Sequence, residues 1–346
     1  MLIETIYRKI AVALVLMLSI SWMAYSQDRV DSLPVKVMFY NAENLFDTED
    51  DSIKDDIEFL PGGLMRWNKS RYYNKINSVS KVIIAAGEWN PPAIVGLCEI
   101  ENRKVLGDLV YGTPLSAFGY GIVHEESPDI RGIDVCMIYR KDLVTVIGHR
   151  LLIPENLNTG EFHTRGVIYA RCIVGSDTLH VLVNHWPSRR GGVLAGEELR
   201  EVMARMVRHT ADSLCLASKG NAKVLIIGDF NCTPSDPLMS ELIDPDSGVN
   251  CSLINLSDGK KEGTAGTYRY QGTWEMIDQI IVSGGLLNSS KGLDTDKEHF
   301  RIFSPDFLLK NDNKYPGMVP FSTYRGYSYQ GGFSDHLPVL LDLVVR

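Results

Sequence analysis

The sequence lacks paired cysteines. It contains six cysteines, and no two of them stand at the two-residue spacing that zinc-binding thiolates commonly show. They are Cys98, Cys136, Cys172, Cys215, Cys232 and Cys251. Three of them lie inside apolar, strand-like runs, so most are predicted to be buried small hydrophobes. This disfavours zinc bound through cysteine, and the spacing assigns no disulfide.

The sequence also lacks an excess of positive charge. It has 35 Lys and Arg against 43 Asp and Glu, which gives a formal net charge of −8. Proteins that coat nucleic acid through many phosphate contacts are usually basic, so that mode of binding is disfavoured. A local basic patch is compatible with the same count. Net charge therefore does not decide the substrate.

The N-terminal apolar run, from Ile10 to about Met23, is shorter than the roughly 20 residues that a membrane-spanning helix needs. Arg8 and Lys9 precede it, and Ala24-Tyr25-Ser26 places small residues at the −3 and −1 positions of a cleavage site. Residues 1–26 are therefore predicted to be a secretory signal peptide rather than a membrane anchor. No cysteine occurs before Cys98, which disfavours a lipoprotein anchor. Residues 27–346 form the expected mature domain, exported to the periplasm or secreted.

Internal repeats and low-complexity tracts are absent from the sequence. Its 45% hydrophobic and 23% charged residues are typical of a globular protein with a substantial core. A chain of this length admits one large domain or two closely packed halves, and we favour one domain. A turn-rich stretch, Asn311 to Phe333, is interpreted as a long ordered loop.

Short runs rich in β-branched residues predict eight strands. They are Val35–Tyr40, Ala93–Cys98, Ile133–Tyr139, Val167–Val174, Thr178–Val183, Lys223–Ile227, Ile277–Val282 and Pro338–Val345. Apolar residues at helical spacing predict two amphipathic helices with core-facing stripes. One stripe is Tyr72, Ile76, Val79 and Ile83, ahead of Gly87; the other is Leu199, Val202, Met206 and Leu214. Few long helices among many strands favour a mixed sheet or sheet pair with helices outside.

Polar residues stand at the ends of six predicted strands. Four strands end at a functional group, namely Asn41, Glu99, His185 and Asp229. Two later strands begin at one, namely Asp278 and the pair Asp335-His336. If those two strands run antiparallel to the others, all six groups meet at one sheet edge, where α/β proteins usually place their sites. Each group alone is more simply a turn or structural residue, and only the shared placement favours a site.

These residue types suit hydrolysis of a phosphate ester. Carboxylate and amide oxygens, as in Glu99, Asp335 and Asn41, are hard ligands that suit Mg²⁺ or Mn²⁺. Asp229, with Asn231 two residues on, can deprotonate and orient a water. Histidines can donate to the developing phosphoryl charge.

The motifs that carry these residues resemble, in order, those of the endonuclease/exonuclease/phosphatase superfamily, which includes DNase-I-like enzymes. They are Phe39-Tyr40-Asn41-Ala42-Glu43-Asn44, Leu97-Cys98-Glu99, Asn184-His185-Trp186, Gly228-Asp229-Phe230-Asn231, Ile277-Asp278-Gln279-Ile280 and Ser334-Asp335-His336. The resemblance covers about Val35 to Arg346. It implies an α/β fold, a four-layered α/β sandwich with two packed mixed β-sheets and the site at one edge.

The resemblance also implies roles for the site residues. Glu99 would be the principal metal ligand, with Asn41 and Asp335 beside it, for Mg²⁺ or alternatively Mn²⁺ or Ca²⁺. The catalytic residues would be Asp229 and Asn231, which position the attacking water, His336 paired with Asp278, which stabilises the phosphoryl oxygens, and His185 as general acid. The segment from Arg131 to Arg140 matches a strand flanking the site. Arg189 and Arg190 could grip a substrate phosphate or be a solvated pair.

The residues leave the substrate open. Glu275-Met276-Ile277-Asp278-Gln279 departs from the Trp-Thr/Cys-Asp-Arg type of signature of inositol polyphosphate phosphatases, which weakens that reading. An export signal and His185 disfavour an abasic-site repair enzyme. An exported nuclease or phosphodiesterase acting on nucleic acid is favoured, and a monomer is expected. A sphingomyelinase-like lipid hydrolase, whose aromatic loop would touch lipid, and a non-catalytic binding module stay open. A calcineurin-like two-metal enzyme lacks its expected motifs here.

Overall fold

The computed structural model describes residues 34–88, 90–154, 164–189, 193–243, 251–259, 266–287, 289 and 291–346. The predicted signal peptide, residues 1–26, lies outside this part of the chain. Within the described residues, no helix is long and apolar enough to cross a membrane.

The described residues form nineteen strands and four α-helices. The strands are β1 (Pro34–Leu45), β2 (Ile94–Ile100), β3 (Tyr120–His124), β4 (Asp134–Arg140), β5 (Val144–Leu152), β6 (Val167–Val174), β7 (Asp177–His185), β8 (Lys223–Asp229), β9 (Leu253–Asn255), β10 (Tyr268–Tyr270), β11 (Thr273–Glu275), β12 (Asp278–Ser283), β13 (Leu293–Asp294), β14 (Phe300–Ile302), β15 (Leu309–Asn311), β16 (Met318–Pro320), β17 (Tyr324–Arg325), β18 (Ser328–Tyr329) and β19 (Val339–Val345). The helices are α1 (Lys69–Ala86), α2 (Arg103–Tyr111), α3 (Val193–Ala217) and α4 (Pro237–Ile243).

Two large mixed sheets dominate the fold. The first has the strand order β13-β19-β1-β2-β4-β3, with β14 also paired to β19, and only β1 and β2 run parallel. The second has the order β5-β6-β7-β8-β12-β9, in which only β7 and β8 run parallel. Both sheets are therefore mixed, as expected from the sequence.

Three apolar cores stack these elements into four layers. The central core fills the space between the sheets, where side chains of β1 and β2 meet those of β7 and β8. The sheets approach each other closely at Gly96, where an added Cβ would lie 2.8 Å from Ile227 Cδ1 and 3.0 Å from Val183 Cγ1. A second core joins the first sheet to α1 and α2, and a third joins the second sheet to α3 and α4. The predicted four-layered sandwich is confirmed.

All eight predicted strands are present, with ends that differ by only a few residues. The predicted first helix is α1, which begins after Asn68, whose side chain accepts a hydrogen bond from Arg71 N, and ends at Gly87. Its four predicted core residues are all buried. The sequence analysis missed α2 and α4 because these short helices bury few residues each.

The predicted core-facing stripe of α3 is wrong by about one position. The buried apolar residues are Met203, Ala204, Val207, Ala211 and Cys215, whereas the predicted Leu199, Val202, Met206 and Leu214 are half-buried. Met206 and Leu214 still pack against the third core from its margin. Two of the five buried residues are alanines, so a pattern of large apolar side chains alone did not locate the buried face.

The turn-rich stretch from Asn311 to Phe333 is ordered as expected. It contains most of two short hairpins, β15–β16 and β17–β18. Tyr324, Tyr329 and Phe333 pack against the core that holds α1. Half of the six aromatic residues in the stretch therefore pack it onto the domain.

The cysteines are buried, as the sequence analysis predicted for most of them. Cys215 at the end of α3 and Cys251 form a disulfide, with their Cα atoms 5.5 Å apart. Cys98, Cys136, Cys172 and Cys232 are buried free thiols.

Candidate active site

Strand register brings the predicted groups to one edge of the second sheet. His185 at the end of β7 pairs with Asp229 at the end of β8. Asp278 at the start of β12 pairs with the same Asp229, because β12 runs antiparallel to β8. The expected reversal of direction is therefore present, and three functional side chains start from neighbouring backbone positions.

The first sheet delivers its groups to the same place. Asn41 on β1 pairs with Cys98 on the parallel β2, one residue before Glu99. The strand β19 is antiparallel to β1, so the residues before its start, including His336, lie at this edge too. Ser334 Oγ donates to Asn41 O at 2.7 Å and accepts from His336 N at 3.0 Å, which joins the two segments.

The backbone is strained at this edge. Glu43 (φ 51°), Asn44 (φ 50°), Glu99 (φ 59°) and Asn231 (φ 51°) all hold left-handed conformations. Such a conformation costs about 1–3 kcal/mol where surrounding contacts impose it, least for asparagine. Here Asn44 N donates to Glu99 Oε2 at 2.8 Å. Asn231 N donates to Asp229 Oδ1 at 2.9 Å. The strained residues therefore lie at the turns that hold the carboxylates of Glu99 and Asp229 in the site.

Asn41 connects the two carboxylates of the site. Its Nδ2 lies 3.3 Å from Glu99 Oε1 and 3.1 Å from Asp229 Oδ2, while its Oδ1 accepts from Glu43 N at 2.9 Å. The amide therefore holds Glu99 and Asp229 together. The role of its oxygen as a metal ligand stays a prediction.

Asp229 is buried at the centre of the cluster. Its pKa is raised to about 7, because burial and the neighbouring Asp278 raise it more than His336 and the hydrogen bonds from Asn231 N and Asn41 Nδ2 lower it. A carboxylate with a pKa near neutrality can both take up and release a proton at physiological pH.

Asp278 and His336 form a buried pair. His336 Nδ1 lies 2.7 Å from Asp278 Oδ2. Burial lowers the pKa of His336, but Asp278, Asp229 and Asp335 together hold it well above the usual value. His336 is therefore an imidazolium whose Nε2 lies 3.9 Å from Asp229 Oδ2. The ring of Tyr268 covers it, with centroids 5.0 Å apart.

Asp335 lies at the mouth of the site. Its side chain is 38% exposed, and its Oδ1 lies 4.0 Å from His336 Nε2. Glu99, at 17% exposure, is the other partly open carboxylate. The two predicted anionic metal ligands are therefore the carboxylates of the cluster that solvent reaches most easily.

His185 is held by an arginine that the sequence analysis missed. Arg165 Nε donates to His185 Nδ1 at 3.1 Å, and Arg165 Nη1 lies 3.4 Å from Asp129 Oδ2. Burial, then Arg165 and Arg131, lower the pKa of His185 well below its usual value. A neutral imidazole is a weak acid, so this environment disfavours the general-acid role, which stays a prediction.

A register argument could have located Arg165. It directly precedes Gly166 and β6, which pairs antiparallel with β7 through Ile168 and Val183. Continuing that register by two residues places Gly166 opposite His185. The two predicted strands, 167–174 and 178–183, are separated by a turn short enough to predict this hairpin.

We expect Arg165→Gln to lower kcat about 10- to 100-fold, the usual effect of removing a residue that orients a reacting group. The reason is that His185 loses the donor that fixes its ring and tautomer. Steady-state kinetics on a small phosphodiester checks this. Arg208→Gln is the matched control. Arg208 is also buried, but its guanidinium donates to the carboxylate of Asp212 and to the carbonyl oxygen of Leu242 in α4, away from the site. Equal kcat values for both variants would contradict the assigned contact.

Asn231 and Arg189 form one wall beside the cluster. Asn231 Nδ2 donates to Trp186 O at 2.9 Å, which leaves its Oδ1 to accept from water. Arg189 Nε donates to Asn231 O at 3.0 Å, and its side chain is 46% exposed. Arg189 also lines an open cleft of about 230 Å³, together with Ser235 and Trp274. The paired candidate Arg190 lies outside the described residues.

A buried ion pair supports the site from behind. Lys75 of α1 is 1% exposed, and its Nζ lies 3.7 Å from Glu43 Oε2. The same ammonium donates to Thr323 Oγ1 and Phe333 O. Glu43 in turn accepts from Thr323 N at 2.6 Å and Tyr324 N at 3.0 Å. The pair thus joins β1, α1 and the segment that leads to His336, and sequence patterns did not reveal it.

The donor set fits a hard divalent cation. Glu99, Asp229, Asp278 and Asp335 carry four carboxylates, and His336 supplies one compensating charge because His185 is neutral and Arg165 is paired with Asp129. Asp278 Oδ1 is buried without a hydrogen-bond partner among the described residues. Cys98 also lies within ligand distance of His185 and Asp229, but burial raises the pKa of its thiol well above the usual value. Oxygen ligands and surplus negative charge favour Mg²⁺ or Mn²⁺ over zinc.

Comparison with known proteins identifies the family of this chain. The Endonuclease/Exonuclease/phosphatase family model matches residues 36–345, and the chain belongs to that family. Its members are metal-dependent phosphoesterases. No curated protein matches the sequence.

Solved structures share the fold at low sequence identity. An endonuclease/exonuclease/phosphatase from Bacteroides vulgatus is 17% identical, with a TM-score of 0.55 over 90% of this chain and 99% of that chain. TDP2 from D. rerio, complexed with single strand DNA product, is 13% identical, with a TM-score of 0.53 over 90% and 99%. The human Nocturnin catalytic domain is 15% identical, with a TM-score of 0.52 over 90% and 94%.

Proposed function

We propose that this chain is an exported, divalent-metal-dependent phosphodiesterase that cleaves nucleic acid by attack of an activated water. The observation that carries the proposal is the convergence of six strand-end groups at one edge of the sandwich. Among them, Asn41 touches both Glu99 and Asp229, and His336 touches Asp278.

In this proposal, Glu99 is the principal ligand of Mg²⁺ or Mn²⁺, with Asp335 and Asn41 beside it. When bound there, such an ion would supply positive charge to offset the charge on the phosphoryl oxygens. Asn41 keeps the ligand carboxylate beside Asp229 through its two contacts at 3.3 and 3.1 Å.

Asp229 takes the proton of the attacking water. Its raised pKa, about 7, matches it to that task at physiological pH. Asn231 orients the same water through its side-chain oxygen, since its nitrogen is bound to Trp186 O.

His336 donates to the phosphoryl oxygens as charge develops on them. Asp278 keeps it protonated and fixes its ring through the 2.7 Å contact to Nδ1. His185, held by Arg165 in its neutral form, is proposed to donate from Nε2 to the bound substrate; this nitrogen lies 3.8 Å from the carboxylates of both Glu99 and Asp229 and 3.3 Å from Arg165 Nη2.

A nucleic acid substrate is favoured over lipid or inositide. The D. rerio TDP2 structure, which shares the fold, holds a single strand DNA product. Half of the aromatic side chains that a lipid hydrolase would present are packed against the domain here. Export after cleavage of residues 1–26 is supported by the Cys215–Cys251 disulfide, since such bonds persist mainly in oxidising compartments.

The proposal is tested with residues 27–346 and Mg²⁺ or Mn²⁺, against single-stranded DNA, plasmid DNA, RNA, bis-p-nitrophenyl phosphate, sphingomyelin and inositol phosphates. We expect metal-dependent cleavage of nucleic acid and of the small diester, abolished by EDTA and restored by Mg²⁺. Turnover of sphingomyelin or inositol phosphates alone would replace the substrate and keep the mechanism. No turnover by a folded, metal-binding protein would contradict the enzymatic proposal.

A further inference from the structure

The two hairpins before His336 carry a local surplus of positive charge. The segment 309–333 contains Lys310, Lys314 and Arg325 but only one acidic residue, Asp312, a net of +2 in a chain of net charge −8. The remainder of the chain is therefore at −10. An acidic protein that concentrates cations on one element presents a defined electrostatic target for an anion.

The single acidic residue in this segment does not neutralise the surplus. Asp312 Oδ1 lies 2.7 Å from Arg325 Nη2, and its Oδ2 lies 3.5 Å from Arg269 Nη1. One carboxylate thus serves two guanidinium groups. Burial and the neighbouring Arg325 lower the pKa of Lys310, as expected where cations crowd together.

This surface is connected to the catalytic edge by one short strand. Tyr268, the first residue of β10, forms a backbone bridge with His336. The next residue, Arg269, donates to Pro316 O at 2.6 Å and to Met318 O at 2.8 Å in the β15–β16 hairpin. A nucleic acid that places one phosphate beside His336 can therefore extend onto the neighbouring hairpins.

The aromatic rings of the hairpins hold cations on their faces, an arrangement that suits binding of an anion rather than insertion into a bilayer. Lys310 Nζ lies 4.9 Å above the Phe321 ring, Lys314 Nζ 5.3 Å from Tyr315, and Arg71 Cζ 4.5 Å above Tyr329. Each ring carries a cation on its face, and Tyr329 also packs against the core that holds α1. Tyr327, at the tip of β17–β18, is the large exposed ring of this segment, at 65%. A single exposed tyrosine can stack on a base but gives little area for membrane insertion.

We propose that Lys310, Lys314, Arg325 and Tyr327 form a binding surface for a single-stranded nucleic acid whose adjoining phosphodiester lies in the catalytic cluster. This hairpin surface neutralises backbone phosphates, and Tyr327 stacks on a base. The inference rests on the proposed function and identifies how this chain, although acidic, would hold a polyanion.

The test compares wild type with Lys314→Gln/Arg325→Gln, using a fluorescein-labelled oligo-dT 20-mer and bis-p-nitrophenyl phosphate. We expect the KM for oligo-dT to rise at least about 10-fold at low salt, and the slope of log KM against log[NaCl] to fall by about 1.4, from about 0.7 per lost phosphate contact on a single strand. Turnover of the small diester should stay within about 2-fold, because neither residue touches the cluster. Tyr327→Ser should weaken oligo-dT binding at least about 5-fold.

Lys219→Gln/Lys291→Gln is the matched control. Both lysines are exposed and lie near the starts of β8 and β13, away from the strand ends that form the site.

An unchanged KM and salt slope for Lys314→Gln/Arg325→Gln, with normal turnover of the small diester, would overturn the surface and leave the proposed function intact. Binding of phosphatidylserine vesicles, lost in the same variant while oligo-dT affinity is unchanged, would overturn it in favour of a lipid. If wild type turns over neither substrate, fluorescence anisotropy of oligo-dT still decides whether the surface binds.

Discussion

Glu99→Gln is expected to lower kcat at least about 100-fold, because it removes the carboxylate charge from the principal proposed metal ligand. The substitution keeps nearly the same shape and one oxygen to accept from Asn44 N. The fold should therefore survive while Mg²⁺ affinity and turnover fall together. Kinetics on bis-p-nitrophenyl phosphate across Mg²⁺ concentrations, with titration calorimetry of the ion, measure both.

Glu101→Gln is the matched control for this variant. Glu101 is buried two residues along the same segment and accepts from Asp47 N at 2.5 Å, outside the cluster. Burial raises its pKa to about 8, so it is largely uncharged at neutral pH and glutamine imitates that state. If Glu99→Gln kept the turnover and the Mg²⁺ affinity of Glu101→Gln, Glu99 would not be the ligand.

The strands and the site motifs could be predicted because they are local features. An apolar run with a polar residue at its end specifies both a strand and the edge where its side chain appears. Asp229 and Asp278 illustrate this, since each is adjacent in sequence to the run that buries its strand. The expected reversal of strand direction would bring both groups to one sheet edge, and the antiparallel pairing of β8 with β12 does so.

Contacts between distant segments could not be predicted in the same way. Arg165 acts on His185 through a hairpin register, and Lys75 meets Thr323 across 248 positions of sequence. A lysine within a predicted amphipathic helix is normally expected to face solvent. Lys75 is buried only because α1 packs against the segment before His336. The α3 stripe was misplaced for a different reason, because the buried face includes the small residues Ala204 and Ala211, which a search for large apolar side chains passes over.

The parts that escaped prediction are those that hold the site rigid. Asn44 N and Asn41 Nδ2 fix Glu99, while Glu43, in the same strained turn, accepts two backbone hydrogens from the segment 323–324. Catalytic geometry depends on such support as much as on the reacting groups. The local motifs indicate the chemistry, and the long-range contacts determine whether the groups are held in place.

Lys75→Met is expected to destabilise the domain by about 3–5 kcal/mol, the usual cost of leaving one partner of a buried ion pair unpaired. The pKa of Glu43 is raised to about 7, because burial raises it more than Lys75 lowers it, so removing the ammonium raises that pKa further. A carboxyl whose pKa is raised in the folded state loses stability as pH increases from its unfolded value towards its folded one. The deficit should therefore be larger at pH 8 than at pH 5. Urea unfolding of both proteins at the two pH values measures it.

The double variant Glu43→Gln/Lys75→Met separates the lost charge from lost packing. A neutral amide in place of Glu43 no longer carries a charge that needs Lys75, and it still accepts from Thr323 N or Tyr324 N. We therefore expect the double variant to be more stable than Lys75→Met at pH 8 and to show little dependence on pH. Equal stability of the two variants at pH 8 would mean that the unpaired charge of Glu43 does not cause the loss. In that case the segment before His336 would depend on packing alone, and the ion pair would not link that segment to Asn41 and Glu99.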